Sequence, residues 1–218
     1  MNQSTEMNQK ITGIILAAGS SKRVRAAGIK TPKPLLKIGD ETFLSKAIHT
    51  CRSVGDCLVV LGYQADELAK HCKELDTPFC VNQNYTKGQT SSLKVGIKNL
   101  PHVAAHFFIY PVDYPLIQEQ TLKLLIEEAQ AAHQQIVLPT YEGHGGHPVL
   151  ISISLKEEFL SLKEDEPASH VIHHDPERVL RVPVEDFGVI QDVDTLEDYQ
   201  KLKESLKEKG YQKQNKRE

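Results

Sequence analysis

The sequence predicts an α/β fold in which a mostly parallel central sheet is covered by helices on both faces. Two segments, Lys10 to Ala17 and Asp56 to Leu61, are continuous rather than alternating in their apolar residues, the pattern of strands buried on both sides. Between them Phe43, Leu44, Ala47, Ile48 and Cys51 recur at helical spacing, giving a β-loop-α-β unit. The alternation of short strands with helices of roughly ten to fifteen residues continues down the chain, which is the signature of a parallel sheet. Such sheets bind ligands beyond the carboxyl ends of their strands.

In order, the chain opens with a polar lead over 1–10, expected to be disordered, and then the first strand. After the β-loop-α-β unit come a helix over 64–75, a strand over 78–81 and a helix over 91–100 with Thr90 and Ser91 as caps. An aromatic-rich strand over 106–112 runs into Asp113, and a helix over 118–132 and a strand over 135–139 follow. From His147 the pattern loosens into a strand over 147–151, helices over 155–162 and 168–174, and strands over 179–184 and 189–190. This region is expected as an insertion packed over the substrate side of the same sheet. A helix over 195–207, with Thr195 as N-cap and Glu197 and Asp198 in its first turn, closes a single domain of 11–207. Residues 208–218 read as a frayed, charged tail.

At 218 residues, 39% hydrophobic and 25% charged, the composition is that of a soluble globular domain. A net charge of -3 offers no general attraction for nucleic acid, so any polyanion must be bound by a local patch. Cys51, Cys57, Cys72 and Cys80 form neither a C-x-x-C pair nor a zinc-ligand spacing and are expected to be reduced and structural. No run approaches the roughly 18 apolar residues of a membrane span, and the polar N-terminus lacks a signal-peptide core, so a cytoplasmic protein with no membrane contact is expected.

The chemistry concentrates between Ile14 and Leu36. A buried strand stops at Leu16-Ala17-Ala18-Gly19-Ser20-Ser21, leaving backbone N–H groups uncovered, and Arg23, Lys30 and Lys33 follow within one flexible segment. Uncovered N–H groups beside cations make a phosphate site. Neither the P-loop nor the dinucleotide glycine pattern fits. Asp113, fixed between Pro111 and Pro115 after an apolar strand, offers a hard carboxylate for a Mg2+ shared with phosphate. Asp192 and Asp194 lie on one side of an extended segment with Val193 pointing away, and either reaches the metal or assists the following helix. Gly88, Ser91 and Ser92 suit contacts to a base or ribose, or simply open a helix. Gly146, His147 and Pro148 belong to a flexible loop suited to the second substrate; His144 and His147 lack a third ligand for zinc. His170, His173 and His174 read as a solvated helix face.

Leu16 to Arg23 followed by Pro32-Lys33-Pro34-Leu35-Leu36 resembles the nucleotidyltransferase signature. Gly88 to Leu93, Pro111 to Leu116, Gly146-His147-Pro148 and Asp192 to Thr195 match its later motifs in order. The chain is similar to MobA-like nucleotidyltransferases, in particular to the molybdenum-cofactor cytidylyltransferases. That resemblance implies a Rossmann-like three-layer sandwich of the nucleotide-diphospho-sugar transferase type, and transfer of a nucleoside monophosphate from an NTP with release of pyrophosphate. It implies Ala17, Ala18 and Gly19 at base and ribose, Arg23 and Lys33 at the triphosphate, and Asp113 with Asp194 at Mg2+. The double alanine before Gly19 resembles the cytidylyl branch, pointing to CTP, with molybdopterin as acceptor and a molybdoenzyme or its chaperone as a transient partner. The chain departs from that branch in a longer segment between Arg23 and Lys33, in Val24-Arg25 and in Pro167-Ala168-Ser169. These departures keep open a sugar- or alcohol-phosphate acceptor and a catalytic Lys30. A non-catalytic nucleotide-binding protein is a third reading, against which Lys33, Asp113 and Asp194 together weigh.

Overall fold

The computed structural model describes residues 10–214; the rest of the polar lead and residues 215–218 lie outside it. The elements are β1 (Lys10–Ala17), α1 (Lys22–Ala26), β2 (Lys37–Ile38), β3 (Glu41–Thr42), α2 (Phe43–Arg52), β4 (Asp56–Leu61), α3 (Ala65–Glu74), β5 (Phe79–Val81) and α4 (Gln89–Lys98). They continue with β6 (Ala104–Pro111), α5 (Glu119–Ala132), β7 (Ile136–Tyr141), β8 (His144–Gly145), β9 (Val149–Ser152), α6 (Lys156–Ser161), α7 (Ser169–His174), β10 (Val179–Pro183) and α8 (Leu196–Gln214).

The principal sheet runs β10-β7-β9-β6-β1-β4-β5, with β8 paired to β7. β1 pairs in parallel with β4 and β6, β4 with β5, and β7 with β10, while β9 runs antiparallel between β6 and β7. Because β9 reverses between two strands of like direction, the carboxyl ends of β1, β4, β6, β7 and β10 share one edge. Strand alternation divides the core. Ile11, Ile15 and Ala17 of β1 pack with Phe43 and Ile48 of α2, Leu68 of α3, Leu122 and Leu125 of α5 and Leu202 of α8. Ile14 and Leu16 pack on the other face with Leu93 and Ile97 of α4, Phe159 of α6 and Ile172 of α7. This is the expected three-layer α/β sandwich.

Four expectations are corrected. The region after His147 is not an insertion over one face: β9 lies inside the sheet and β10 forms its edge. The local pattern carries no information about which strands pair across the molecule. The expected strand over 189–190 is instead a single 3-10 turn, Phe187–Val189. Thr90 and Ser91 do not cap their helix, which begins earlier with Gly88 at its N-cap; the Thr90 hydroxyl donates to the Glu166 carbonyl (2.7 Å) and Ser91 to that of Gly88 (2.7 Å). The charged tail is not frayed from 208, since α8 continues to Gln214. Thr195 does cap α8, in a reciprocal box: its hydroxyl accepts from the Asp198 N–H (3.1 Å) and the Asp198 carboxylate accepts from the Thr195 N–H (2.8 Å). Among the described residues no helix is long and apolar enough to cross a membrane. The four cysteines are free, with Cys51, Cys57 and Cys72 buried.

Asp186, 5% exposed, is the polar pin of the β10 end. Its carboxylate accepts from the Gln118 N–H (2.8 Å), the Thr121 hydroxyl (2.7 Å) and the Gly188 N–H (2.9 Å), tying the start of α5 to the 3-10 turn. Asp186→Ala strands those donors and is expected to cost about 3 kcal/mol of stability, because buried unpaired donors lose water without replacement. Chemical denaturation of the two proteins checks it; a change within about 0.5 kcal/mol, the range of an ordinary surface substitution, rules the pin out.

Candidate active site

The shared edge of the sheet carries an open cleft of about 730 Å³. Its floor follows from the register: Leu16 at the end of β1 lies beside Pro111 at the end of β6 and Val60 in β4. Three loops leave this edge. The first carries Ala18, Gly19, Ser20 and Ser21, the second Tyr63, and the third Val112 and Asp113. The first and second are locked together where the Tyr63 N–H donates to the Ala18 carbonyl (3.0 Å), and the first and third where Val112 donates to Leu16 (3.2 Å). Among the described residues the Gly19, Ser20 and Ser21 amides donate to no backbone carbonyl, as an anion-binding loop requires.

Lys33 supplies the centre of charge. The 3-10 turn Lys33–Leu35 opens on Pro32 and buries Lys33 to 8% exposure. Its ammonium donates to Asp113 Oδ2 (3.0 Å) and to Asp194 Oδ1 (2.7 Å), and the Arg23 guanidinium pairs with the other oxygen of Asp194. Burial by itself lowers the Lys33 pKa, but the charge of Asp113 and the hydrogen bond to Asp194 more than offset it and hold the group above its ordinary value. Burial likewise pushes Asp194 up, and Lys33 and Arg23 outweigh it and bring Asp194 below the usual carboxylate range. Asp192 moves the other way, raised by burial and then by the like charges of Asp194 and Asp113. The same burial, with Asp192, Asp113 and Asp194 nearby, pushes the Tyr114 hydroxyl up to about 12.

Three carboxylates stand against the two cations Lys33 and Arg23, and the charges of Asp194 and Asp113 add to the burial that raises Asp192. Among the described residues no three metal-ligating side chains converge on one point. A hard cation at Asp113 and Asp194 would therefore complete its shell with phosphate oxygens and water, the habit of Mg2+.

Of the sequence-predicted residues, Leu16, Ala17, Ala18, Gly19, Ser20, Ser21, Arg23, Lys33, Gly88, Ser92, Asp113 and Asp194 all line the cleft. Ser91 and Asp192 do not: Ser91 turns back to the Gly88 carbonyl, and Asp192 flanks the acids behind the lining. Lys30 is exposed outside the cleft, so the lysine between the acids is Lys33. Gly146, His147 and Pro148 lie away from the nucleotide loops, with Gly146 and Pro148 buried. The His147 ring packs edge-on against Tyr114 at 4.8 Å, the residue after Asp113, and its Nδ1 is buried with no partner among the described residues. Burial lowers its pKa against the opposing pull of Asp113. Neither aspartate caps α8, since Thr195 and Asp198 do.

Sequence reasoning missed Tyr63, Tyr85, Arg25 and Lys22, which also line the cleft. Tyr63 and Tyr85 pair edge-on at 6.3 Å, and Arg25 lies over the Tyr63 ring at 4.6 Å. A usable signal existed for Tyr63, which follows β4 at the edge where ligands bind. Tyr85 becomes a neighbour only through the fold.

The model of the MobA-like NTP transferase domain matches residues 13–179, which takes in the signature loop, the acid after β6 and most of the sheet. The chain belongs to this family. It is 29% identical over 149 residues to the bifunctional IPC transferase and DIPP synthase of Rubrobacter xylanophilus, covering 66% of this chain and 33% of that protein. The chain thus spans about a third of that relative's length. It is 27% identical over 202 residues to the nicotine blue oxidoreductase of Paenarthrobacter nicotinovorans, covering 88% of this chain and 96% of that one. The crystal structure of Rv0371c from Mycobacterium tuberculosis superposes with a TM-score of 0.77 at 28% identity, over 90% of this chain and 99% of that one. The same protein in complex with manganese gives a TM-score of 0.73 at 26% identity, over 90% and 98%.

Gly62 sets the width of this MobA-like cleft. A Cβ there would meet Tyr85 Cβ at 2.6 Å and the Ala18 carbonyl oxygen at 2.8 Å, so the β4 and β1 loops approach only because it is glycine. Gly62→Ala is expected to destabilise the fold by about 1–3 kcal/mol through overpacking and to abolish nucleotide-induced stabilisation. Thermal melts with and without CTP and Mg2+ check both, and an unaltered ligand shift would refute the assignment of this wall.

Proposed function

We propose that this protein transfers a nucleoside monophosphate, CMP from CTP, to a phosphate-bearing acceptor of the molybdopterin type and releases pyrophosphate. The observation that carries the reading is the buried Lys33 ammonium between Asp113 and Asp194, at the open end of the Gly19-Ser20-Ser21 loop. Phosphoryl transfer needs positioning and neutralisation rather than a covalent nucleophile, and a buried cation flanked by acids at an anion loop offers both. Ala17, Ala18, Tyr63 and Tyr85 form the wall for base and ribose, and the loop amides with Lys22 and Arg23 face the triphosphate.

Asp113 and Asp194 would hold Mg2+, which when bound supplies neutralising charge at the phosphates. The manganese complex of the Mycobacterium tuberculosis structure supports a divalent ion in this fold. Lys33, which bridges both acids in the chain without ligand, contributes a buried positive charge to the same centre. The choice of CTP rests on the resemblance of Ala17-Ala18 before Gly19 to the cytidylyl branch. The ring-bearing acceptor is supported by the half-exposed Phe187, 48% accessible and 5.5 Å from Tyr141, at the edge beyond Asp113. A molybdoenzyme or its chaperone would take the product.

A redox reading is favoured by one observation, the relative named nicotine blue oxidoreductase that aligns over 96% of its length. The acid-lysine-acid cluster speaks against it, since hydride transfer has no use for two acids around a buried ammonium.

Thermal melts with CTP, GTP, ATP, UTP and NADPH, each with and without Mg2+, separate these readings. A ligand at about 100 times its Kd adds about 2.7 kcal/mol of stability, so CTP with Mg2+ is expected to give the largest shift. A shift with NADPH alone would replace transfer by redox chemistry. Lys33→Ala and Asp113→Ala should each lower single-turnover CMP transfer by about a hundredfold or more, the loss typical of a removed electrostatic stabiliser. Lys30→Ala should lose less. Unaltered transfer in Asp113→Ala would remove the metal assignment.

A further inference from the structure

From Gly19 to Gly39 the chain carries six cations, Lys22, Arg23, Arg25, Lys30, Lys33 and Lys37, and no carboxylate. In a protein of net charge -3 this is a local concentration of positive potential. Two of the six are neutralised at the active site, Lys33 by Asp113 and Asp194 and Arg23 by Asp194. Lys22, Arg25 and Lys30 form no ion pair among the described residues.

These three cations line a second recess of about 440 Å³, completed by Ala26, Gly28 and Ile29. Lys22 and Arg25 also line the main cleft, so α1 is a wall common to both hollows. The recess is shaped by the chain rather than by chance extension of lysines. Gly28, at φ +89°, donates to the Arg25 carbonyl (2.9 Å) and reverses the chain at the end of α1, a conformation that L side chains rarely adopt. Ile29 then packs against the core, which holds Lys30 beside the helix. Arg25 is fixed by the Tyr63 ring and by the Ser20 carbonyl (3.4 Å).

We propose that this recess receives the pyrophosphate leaving group, an exit site distinct from the triphosphate seat; the proposal rests on the nucleotidyl-transfer reading. In that reaction an acceptor phosphate oxygen forms a new bond to the α-phosphorus. The bond from that phosphorus to the bridging oxygen breaks, and its electron pair leaves on pyrophosphate. In-line displacement sends the leaving group away from the incoming oxygen. Asp113 and the loop of His147 lie at the ends of β6 and β9, whereas the recess lies past the end of β1, on α1. A hollow with three cations and no acid fits a small, multiply charged anion, and it also draws the product away from the centre at which re-attack would reverse the transfer.

Isothermal titration of the full chain with inorganic pyrophosphate and, separately, with CTP, both in Mg2+, tests this in wild type, Lys30→Ala and Lys30→Arg. Lys30→Ala is expected to weaken pyrophosphate about tenfold, the size of one lost charge-assisted contact, and CTP by no more than about twofold, with Lys30→Arg restoring the affinity. Equal weakening of both ligands would make the recess part of the triphosphate seat and overturn the exit site, as would unaltered pyrophosphate affinity. Wild type that binds CTP while Lys30→Ala leaves pyrophosphate unaltered rejects the exit site alone. Wild type that binds neither CTP nor another nucleotide rejects the transfer reading and the exit site with it.

Discussion

The Lys33 ammonium between Asp113 and Asp194 is the interaction on which the site depends. It joins three segments that are distant in sequence: the loop after β1, the end of β6 and the approach to α8. Burying a lysine carries a desolvation cost, and an ion pair of this kind is seldom the most stabilising choice for the space. The arrangement is better explained by chemistry. Two acids fixed side by side at the sheet edge need a compensating charge in the chain without ligand, and Lys33 supplies it; under the proposed function a divalent ion would share that task.

That point exists because of the register of β1 and β6. Their parallel pairing brings Leu16 beside Pro111, so the Ala18–Ser21 loop and Asp113 leave the sheet as neighbours. Asp194 comes from the far end of the chain and has no strand to hold it. Its segment is docked by the Val193 N–H, which donates to the Asp113 carbonyl (2.9 Å), with the Val193 side chain fully buried, and it is stopped by the Thr195–Asp198 box. Apolar burial of one residue thus orients the acids on either side of it. The last helix serves the site by fixing where the acid segment ends.

The layers and most strands were legible because both-face burial leaves continuous apolar runs; β1 and β4 begin and end where those runs do. That the loop after β1, a lysine beyond it and the acids Asp113 and Asp194 would meet at one edge was legible because hard ligands and cations at strand ends have few structural uses. What stayed hidden is non-local. Nothing within Val149–Ser152 says that it returns antiparallel between β6 and β7. Val189 is buried at the end of a 3-10 turn that Asp186 caps, with Ile190 half-buried after it, and a two-residue apolar run does not distinguish that arrangement from a strand. Tyr85 enters the cleft only because Gly62 lets two loops close on each other. The competition between Lys30 and Lys33 was likewise beyond the sequence, since a reversal at Gly28 decides which lysine faces the acids.

The edge of the sheet is divided by charge. On the β1 side lie uncovered amides and the cations Lys22, Arg25 and Lys30; on the β9, β7 and β10 side lie Tyr114, His147, Tyr141 and the half-exposed Phe187. The acids and Lys33 stand at the boundary. A reaction whose leaving group is a small polyanion and whose acceptor presents one phosphate on a larger body has this asymmetry in its own chemistry. Under the proposed function the aromatic half would hold the acceptor's body, the boundary would neutralise the phosphates, and the cationic half would favour the departing charge. Under that reading, direction in the displacement would follow from where the chain places its charges along one sheet edge.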